Sequence, residues 1–314
     1  MRSMVLDAYG MAPKLVELPA PKPGANEVLV RVKATSVNPI DWKQGSGKGR
    51  PILRAKFPNF VPGYDVAGIV ESLGSGVTKF KLDQRVHVRL SGTQGGANAE
   101  LVVVPVDELV PLPDALDFAQ GAALPLAGMT ALQGLRDACE LPTSGASQRV
   151  LIVGASGGVG HFAVQIARST GAHVTGVCST RNVELVRSLG AHEVVDYKSS
   201  NPWSGVTQPF DCIFDTVGSS PGDYLSKLTR RGVFASCLPM PAVFAHAALN
   251  PLRARRVRPV LLSVRPYDLG VLDELAVRGL LRAVIDARYQ AEQLAQAWAH
   301  SAAGHAAGKI VVDW

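Results

Sequence analysis

The sequence predicts an α/β protein in which a β-barrel-like domain is interrupted by a doubly wound parallel-sheet domain. Three observations carry this. Short alternating strand patterns, punctuated by Pro and Gly, fill residues 1 to about 120. From Arg149 onward, strand patterns alternate with amphipathic helical runs, as in βαβ units joined by right-handed crossovers. One last strand pattern, Lys309-Ile-Val-Val312, closes the chain and needs a sheet to join, and the front domain is its natural host.

In the front domain, Glu27-Val-Leu-Val-Arg-Val-Lys-Ala34 alternates with the period of a half-buried strand. Ala67-Gly-Ile-Val-Glu-Ser-Leu73, Arg85-Val-His-Val-Arg-Leu90 and Glu100-Leu-Val-Val-Val-Pro105 do the same. Pro21-Lys-Pro-Gly24 and Gly74-Ser-Gly76 mark turns between such runs. Asp114 to about Gly134 turns helical, with Ala119, Ala122, Ala123 and Leu126 on one face. In the middle domain, Val150-Leu-Ile-Val153 runs into Gly154-Ala-Ser-Gly-Gly-Val-Gly160. Such a strand–glycine turn–helix joint lets backbone approach a pyrophosphate and aims free helix N–H groups at it. Gly157, Gly158 and Val159 are the expected cofactor contacts there. Val159, Phe162, Ala163, Ile166 and Ala167 then form one buried helix face.

Further strands are expected at His173–Cys178, Glu193–Tyr197, Cys212–Val217, Val233–Cys237 and Pro259–Val264. Helices are expected at 182–189, 221–231, 268–278 and 291–302. Gly218 and Leu238 follow two of the strands at the carboxyl edge of the sheet, where a ligand crevice forms. The domains are therefore drawn as 1–120 with 283–314, and 121–282.

With 314 residues, 47% of them hydrophobic and 18% charged, the chain can bury a substantial core and is not disordered. It has no apolar run of the ~20 residues that span a bilayer, and no secretory leader pattern, so a cytoplasmic setting is expected. Cys139, Cys178, Cys212 and Cys237 are far apart in sequence, so neither a disulfide nor a structural metal is expected. The net charge of +6 is concentrated in Arg253, Arg255, Arg256 and Arg258, with Arg230 and Arg231 before them. That cluster is either a solvated face or a point of attraction for an anionic membrane surface or a phosphate-bearing acyl carrier. No nucleic-acid motif accompanies it.

Taken together, these runs resemble the zinc-independent quinone oxidoreductases of the medium-chain dehydrogenase/reductase superfamily. The resemblance rests on Ala34-Thr-Ser-Val-Asn-Pro-Ile-Asp-Trp-Lys43, Pro62-Gly-Tyr-Asp-Val-Ala-Gly68 and Ala122-Ala-Leu-Pro-Leu-Ala-Gly-Met-Thr-Ala131. It rests also on Gly154–Gly160, Leu189-Gly-Ala-His-Glu-Val-Val-Asp-Tyr197 and Gly304-His-Ala-Ala-Gly-Lys-Ile-Val311. Asp41-Trp42-Lys43 and the Trp298–Lys309 tail point within it to the chloroplast-envelope quinone oxidoreductase homologue and alkenal/one oxidoreductase group. The resemblance implies a GroES-like β-barrel catalytic domain with an inserted Rossmann domain, an active-site cleft between them, NADPH, and a homodimer joined through Rossmann edge strands. It also implies cofactor contacts at Lys43 and Thr130 and at the tyrosine after the third Rossmann strand, Tyr197. Exposed-lysine and helix-packing duties remain the alternatives for Lys43 and Thr130.

Zinc-dependent relatives place a Cys and then a His-Glu pair at the metal. Here those positions read Asn38 and Tyr64-Asp65. A catalytic zinc wants three protein ligands, so no metal is expected. His87, the nearest histidine, is expected to be structural. At the end of the second Rossmann strand an NAD site wants an acid for the ribose 2′-OH. The chain reads Cys178-Ser-Thr-Arg-Asn182, without one. Arg181 can pair with a 2′-phosphate and Ser179 and Thr180 can donate to it, so NADPH is expected.

The expected reaction is hydride transfer from NADPH to an enone, alkenal or quinone. Without a metal, hydrogen-bond donors must stabilise the developing oxyanion. Asn38 is the first candidate and Tyr64 the second, with Trp42 either in the pocket wall or in the core. Two other readings stay open: an enoyl reductase acting on carrier-bound acyl chains, and a non-catalytic NADPH-binding sensor.

Overall fold

The structure, a computed structural model, describes residues 1–50, 53–145, 147–200, 203, 206–238, 240–252 and 254–314. The chain forms two compact units. One comprises Met1–Leu126, Val264–Gly279 and Ala283–Trp314; the other comprises Ala127–Ser263 and Leu280–Arg282.

The front segment builds β1 (Arg2–Val5), β2 (Lys14–Glu17), β3 (Glu27–Val37), α1 (Pro39–Gly45), β4 (Asp65–Leu73), β5 (Arg85–Arg89), β6 (Leu101–Pro105), β7 (Val110–Pro111) and α2 (Phe118–Ala123). β3 organises this unit. Its first half pairs antiparallel with β6, and the stretch from Val28 to Ser36 pairs antiparallel with β4. Irregularities at Leu29/Val30 and Val32/Ala34 bend it, as barrel strands require. Val28, Val30 and Val32 point inward with Val66, Val86 and Val104 to form the barrel core. At about 1.5–3 kcal/mol per fully buried side chain, these alternating valines are what hold the register.

The middle segment builds α3 (Pro125–Gln133), β8 (Arg149–Val153), α4 (Gly160–Ser169), β9 (His173–Cys178), α5 (Val183–Ser188), β10 (Glu193–Asp196), β11 (Phe210–Asp215), β12 (Leu228–Ser236), α6 (Pro241–Ala248) and β13 (Arg256–Pro259). Among the described residues, its strands form one parallel sheet in the order β10-β9-β8-β11-β12-β13. That is the dinucleotide-binding order, which reverses between β8 and β11. Leu151, Val153, Val177, Ile213 and Phe234 lie in its buried core.

The chain then supplies α7 (Pro266–Val277), β14 (Ile285–Gln290), α8 (Leu294–Ala302) and β15 (Lys309–Asp313) to the first unit. β15 pairs antiparallel with the second half of β3, matching Ile310 with Val37, so the last strand does join the front sheet. Trp298 and Leu294 of α8 pack with Met4, Phe60 and Ile310 in a second core. α7 belongs to the first unit, whereas the sequence grouped it with the middle domain; its Asp273 reaches the buried His87 of β5 at 3.0 Å.

Three local expectations differ from the structure. The sixth strand ends at Pro259 instead of beginning there, because proline has no N–H with which to continue the ladder. The helix expected over 221–231 is two single 3₁₀ turns, after which β12 starts at Leu228, paired with Phe210. Cys139 and Cys212, 73 residues apart, form a disulfide within the second unit, where the sequence predicted none. The fold closes that distance: Cys139 follows a π turn after α3, and Cys212 sits in β11.

Candidate active site

In the second unit, the turn after β8 is built for close backbone approach. A side chain at Gly160 would place Cβ 2.0 Å from the Gly154 carbonyl, so only glycine lets α4 start against the turn. Gly154 has φ +81° and abuts Thr216 and Val217, which follow β11. The two loops thus meet at the switch point of the sheet. Gly157, Gly158 and Val159 are half-exposed, and among the described residues no backbone acceptor takes the N–H of Gly158 or Val159. Free N–H groups before the first turn of a ten-residue helix suit a pyrophosphate.

Neighbouring polar contacts fix this edge. Asn182 Nδ2 donates to Ser156 Oγ at 2.9 Å, tying the glycine turn to the segment after β9. Asp215, fully buried at the end of β11, accepts from Ser236 Oγ at 2.7 Å and from the N–H groups of Val217, Gly218 and Ser219 at 3.0–3.3 Å. It latches the loop that carries Gly218, whose missing Cβ faces Leu238 at 3.1 Å. The sequence offered Asn182 as a helix cap, but its side chain makes no capping bond and ties the two loops instead, and Asp215 was not singled out. An Asp closing a buried strand just before a glycine was the available signal.

Ser179 is half-buried, and Thr180 and Arg181 are exposed. Thr180 Oγ1 donates to Asp196 Oδ2 at 2.7 Å. Parallel pairing sets Asp196 beside Cys178, so this edge does hold a carboxylate, contributed by β10. Burial, and then that carboxylate, push the Cys178 thiol up to about 11. Tyr197, next in sequence, is 54% exposed. Thr130 lies buried in α3 of this unit.

In the first unit, Asn38 caps α1 and is 2% exposed. Its Nδ2 donates to Asp65 Oδ2 at 2.7 Å, and its Oδ1 accepts from Lys309 Nζ at 2.5 Å. Asp65 also accepts from Ser36 Oγ at 2.7 Å and from the Leu126 N–H at 2.9 Å. Asp41 accepts from the Asn38 N–H at 2.7 Å. Burial pushes its carboxyl up to about 7 against that bond. The Lys309 ammonium is pulled down by burial, while Asp65 and Asp41 work against the shift.

Tyr64 is fully buried, and its hydroxyl donates to Gln44 Oε1 at 2.8 Å. Burial pushes the phenol up to about 12. Its proton is directed at Gln44 Oε1 in this geometry. Trp42 packs beside the second core, with Nε1 donating to Ser301 Oγ at 3.1 Å. Lys43 is half-buried, its Nζ 5.4 Å from the Trp42 ring centroid. Both His87 ring nitrogens are engaged, with the Gly121 carbonyl and with Asp273. The zinc-ligand positions do not fit a metal: Asp65 is occupied by protein donors, and the neighbouring cation is Lys309.

Three arginines of the basic cluster make structural bonds, while Arg230 and Arg231 are exposed. Arg256 and Arg258 both bind the Glu140 carboxylate, and Arg258 Nη1 also caps the Ala138 carbonyl at 2.9 Å. Arg255 Nε donates to the Leu228 carbonyl at 3.1 Å. Arg253 lies outside the described residues.

Comparison with known proteins agrees with this architecture. Residues 24–114 match the alcohol dehydrogenase GroES-like domain family, and residues 189–312 match a family described as zinc-binding dehydrogenase. The chloroplast envelope quinone oxidoreductase homolog of Arabidopsis thaliana is 38% identical over 95% of this chain and 93% of its own length. The chain belongs to the quinone oxidoreductase family of the medium-chain dehydrogenases/reductases. This quinone oxidoreductase family member is also similar to a human mitochondrial NAD(P)H oxidoreductase, at 33% identity over 92% of this chain and 82% of that one. The quinone oxidoreductase structure from Coxiella burnetii superposes with a TM-score of 0.89 at 30% identity, covering 100% and 99% of the two chains. The fold is therefore a GroES-like domain with an inserted Rossmann domain, and the protein is an oxidoreductase of a nicotinamide-dependent family. The cytoplasmic expectation is corrected: the similar proteins carry chloroplast and mitochondrial names. Among the described residues, no helix is long and apolar enough to cross a membrane.

Proposed function

We propose that this family member is an NADPH-dependent, zinc-free reductase of quinones and α,β-unsaturated carbonyls. The observation that carries the reading is the Asn38 amide. Asp65 and Lys309 hold it from both ends, and its second Nδ2–H is left for a substrate oxygen. A bound nicotinamide supplies the hydride. The residues of this chain do the rest. The N–H groups of Gly158 and Val159 and the start of α4 hold the pyrophosphate. Asp215 keeps the Gly218 loop in place along the same edge. Arg181 and Ser179 meet a 2′-phosphate, while Thr180 is turned toward Asp196. Lys43, Thr130, Tyr197 and Leu238 complete the cofactor contacts, and Trp42 contributes its edge to the substrate wall. Asn38 donates to the oxygen on which negative charge develops. Water supplies the final proton, since Tyr64 is occupied.

The carrier-bound enoyl alternative draws no support from Arg255, Arg256 and Arg258, whose guanidinium groups bind Glu140 and backbone carbonyls. The test is turnover of 1,4-naphthoquinone and a 2-alkenal with NADPH in the presence of EDTA. The wild type is expected to turn over both unaffected by the chelator. Asn38→Ala is expected to lose about 100-fold in kcat, as for removal of one oxyanion donor. Full activity of Asn38→Ala, or loss of activity with EDTA, contradicts the proposal.

A further inference from the structure

A buried cation from the tail of the chain sits on the polar cluster built by its front. Lys309 opens β15, and the pairing of Ile310 with Val37 carries it to the end of β3. It is 3% exposed. Its Nζ donates to Asn38 Oδ1 at 2.5 Å and to the Val37 carbonyl at 3.2 Å, and stands 3.8 Å from Asp65 Oδ2. Lysines are seldom buried this deeply without a strong partner. The carboxylate is not its first partner, because Asp65 is already held by Ser36, Asn38 and the Leu126 N–H. The shortest contact is with the amide oxygen.

That contact has a chemical consequence. An N–H donor on Oδ1 draws electron density from the amide nitrogen and makes both Nδ2–H groups stronger donors, an effect that grows where water is excluded. It also settles which end of the amide is which. Oδ1 faces Nζ, and Nδ2 faces the Asp65 carboxylate. One N–H is spent on Asp65 and fixes the amide plane, leaving the other with a defined direction.

We propose that Lys309 is a positioning residue for quinone and enone reduction: through Asn38 Oδ1 it orients and polarises the amide that meets the substrate oxyanion. The proposal rests on the reading of Asn38 given above. It assigns a function to the Gly-Lys-Ile-Val motif beyond strand pairing, because β15 would pair with β3 whatever side chain stood at 309.

The experiment measures kcat, KM for NADPH and melting temperature for the wild type, Lys309→Met, Lys309→Gln, Lys309→Arg, Asn38→Ala and the Lys309→Met/Asn38→Ala double variant, with 1,4-naphthoquinone as substrate. Lys309→Met is expected to lose about 10- to 100-fold in kcat with KM for NADPH unchanged. Lys309→Arg is expected to recover most of that loss, and Lys309→Gln less. In the Asn38→Ala background, Lys309→Met is expected to cost less than about twofold more, because the two act as one unit. Equal multiplicative losses in both backgrounds, or Lys309→Arg falling as far as Lys309→Met, overturn the role of Lys309 while leaving Asn38 in place. Full activity of Asn38→Ala overturns the reading beneath it instead. If Lys309→Met does not fold, the arginine and glutamine variants decide the matter, and equal kcat values for the two reject the proposal.

Discussion

At the scale of single residues, the first unit concentrates its polar chemistry in four side chains, Asn38, Asp41, Asp65 and Lys309. Asp41 is 1% exposed, and among the described residues its Oδ1 has no hydrogen-bond partner. Burial raises its carboxyl from the ordinary 3.8 to about 7. A folded-state value above the unfolded one means that the folded protein binds the extra proton. The stability tied to that proton is complete below about pH 4 and is lost as pH rises through about 7. The largest effect consistent with that displacement is about 4 kcal/mol. Melting temperature should therefore fall between about pH 4 and 7, and Asp41→Asn should flatten the fall, since its amide oxygen can still accept from the Asn38 N–H. An unchanged slope in a pH series of thermal melts would show that Asp41 is ionised throughout. Asn38 was legible in the sequence because it stands where relatives keep a metal ligand. Lys309 was legible only as a strand residue, because 271 positions separate it from its partner Asn38. The bond from Tyr64 to Gln44 was illegible for a related reason: Gln44 carried no motif.

At the scale of elements, the glycine turn and the strand ends around it do the positioning. Gly160→Ala would drive Cβ to within 2.0 Å of the Gly154 carbonyl, a backbone atom with nowhere to go. The start of α4 must then shift. The expected result is a loss of several kcal/mol in denaturant unfolding, with cofactor affinity, read by fluorescence titration, weakened more than tenfold. Wild-type affinity in a folded Gly160→Ala protein would detach the turn from cofactor binding. The parallel strands were readable because each is a short apolar run closed by a turn signal. β13 was misplaced because Pro259-Val-Leu-Leu-Ser-Val264 is as apolar as a core strand, yet its leading proline cannot extend the ladder. Helix α6 went unseen because its apolar residues show little segregation to one face, and only Val243 is buried. The Asp215 latch and the Cys139–Cys212 bond both join groups that only the folded sheet brings together.

At the scale of the whole molecule, the chain leaves its first unit after Leu126, builds the second, and returns to complete the first with β14, α8 and β15. The sequence showed this interruption because a terminal strand pattern lacked a neighbour. The extra return of α7 was hidden, because His87 and Asp273 are 186 positions apart. β13 ends the second sheet with one side unpaired, and Leu261 just beyond it is 67% exposed. β13 itself reads Arg-Val-Arg-Pro, so the exposed apolar contact is Leu261 beyond it, and we propose a homodimer through this edge of the sheet. Light scattering should give twice the 33.2 kDa of one chain, and Leu261→Lys should shift the mass toward the monomer. A monomeric wild type at micromolar concentration rejects that assembly. The end of β9 is proposed to read a 2′-phosphate, in a reductase that works without metal. This reading is tested most directly by kcat/KM for NADPH and NADH in the wild type and in Arg181→Ala, with 1,4-naphthoquinone as acceptor. The wild type should prefer NADPH at least tenfold, and Arg181→Ala should erase that preference by weakening NADPH alone, as loss of a charge-assisted bond of about 1.5–3 kcal/mol requires. Equal use of the two cofactors by the wild type, or an equal loss for both on substitution, contradicts it.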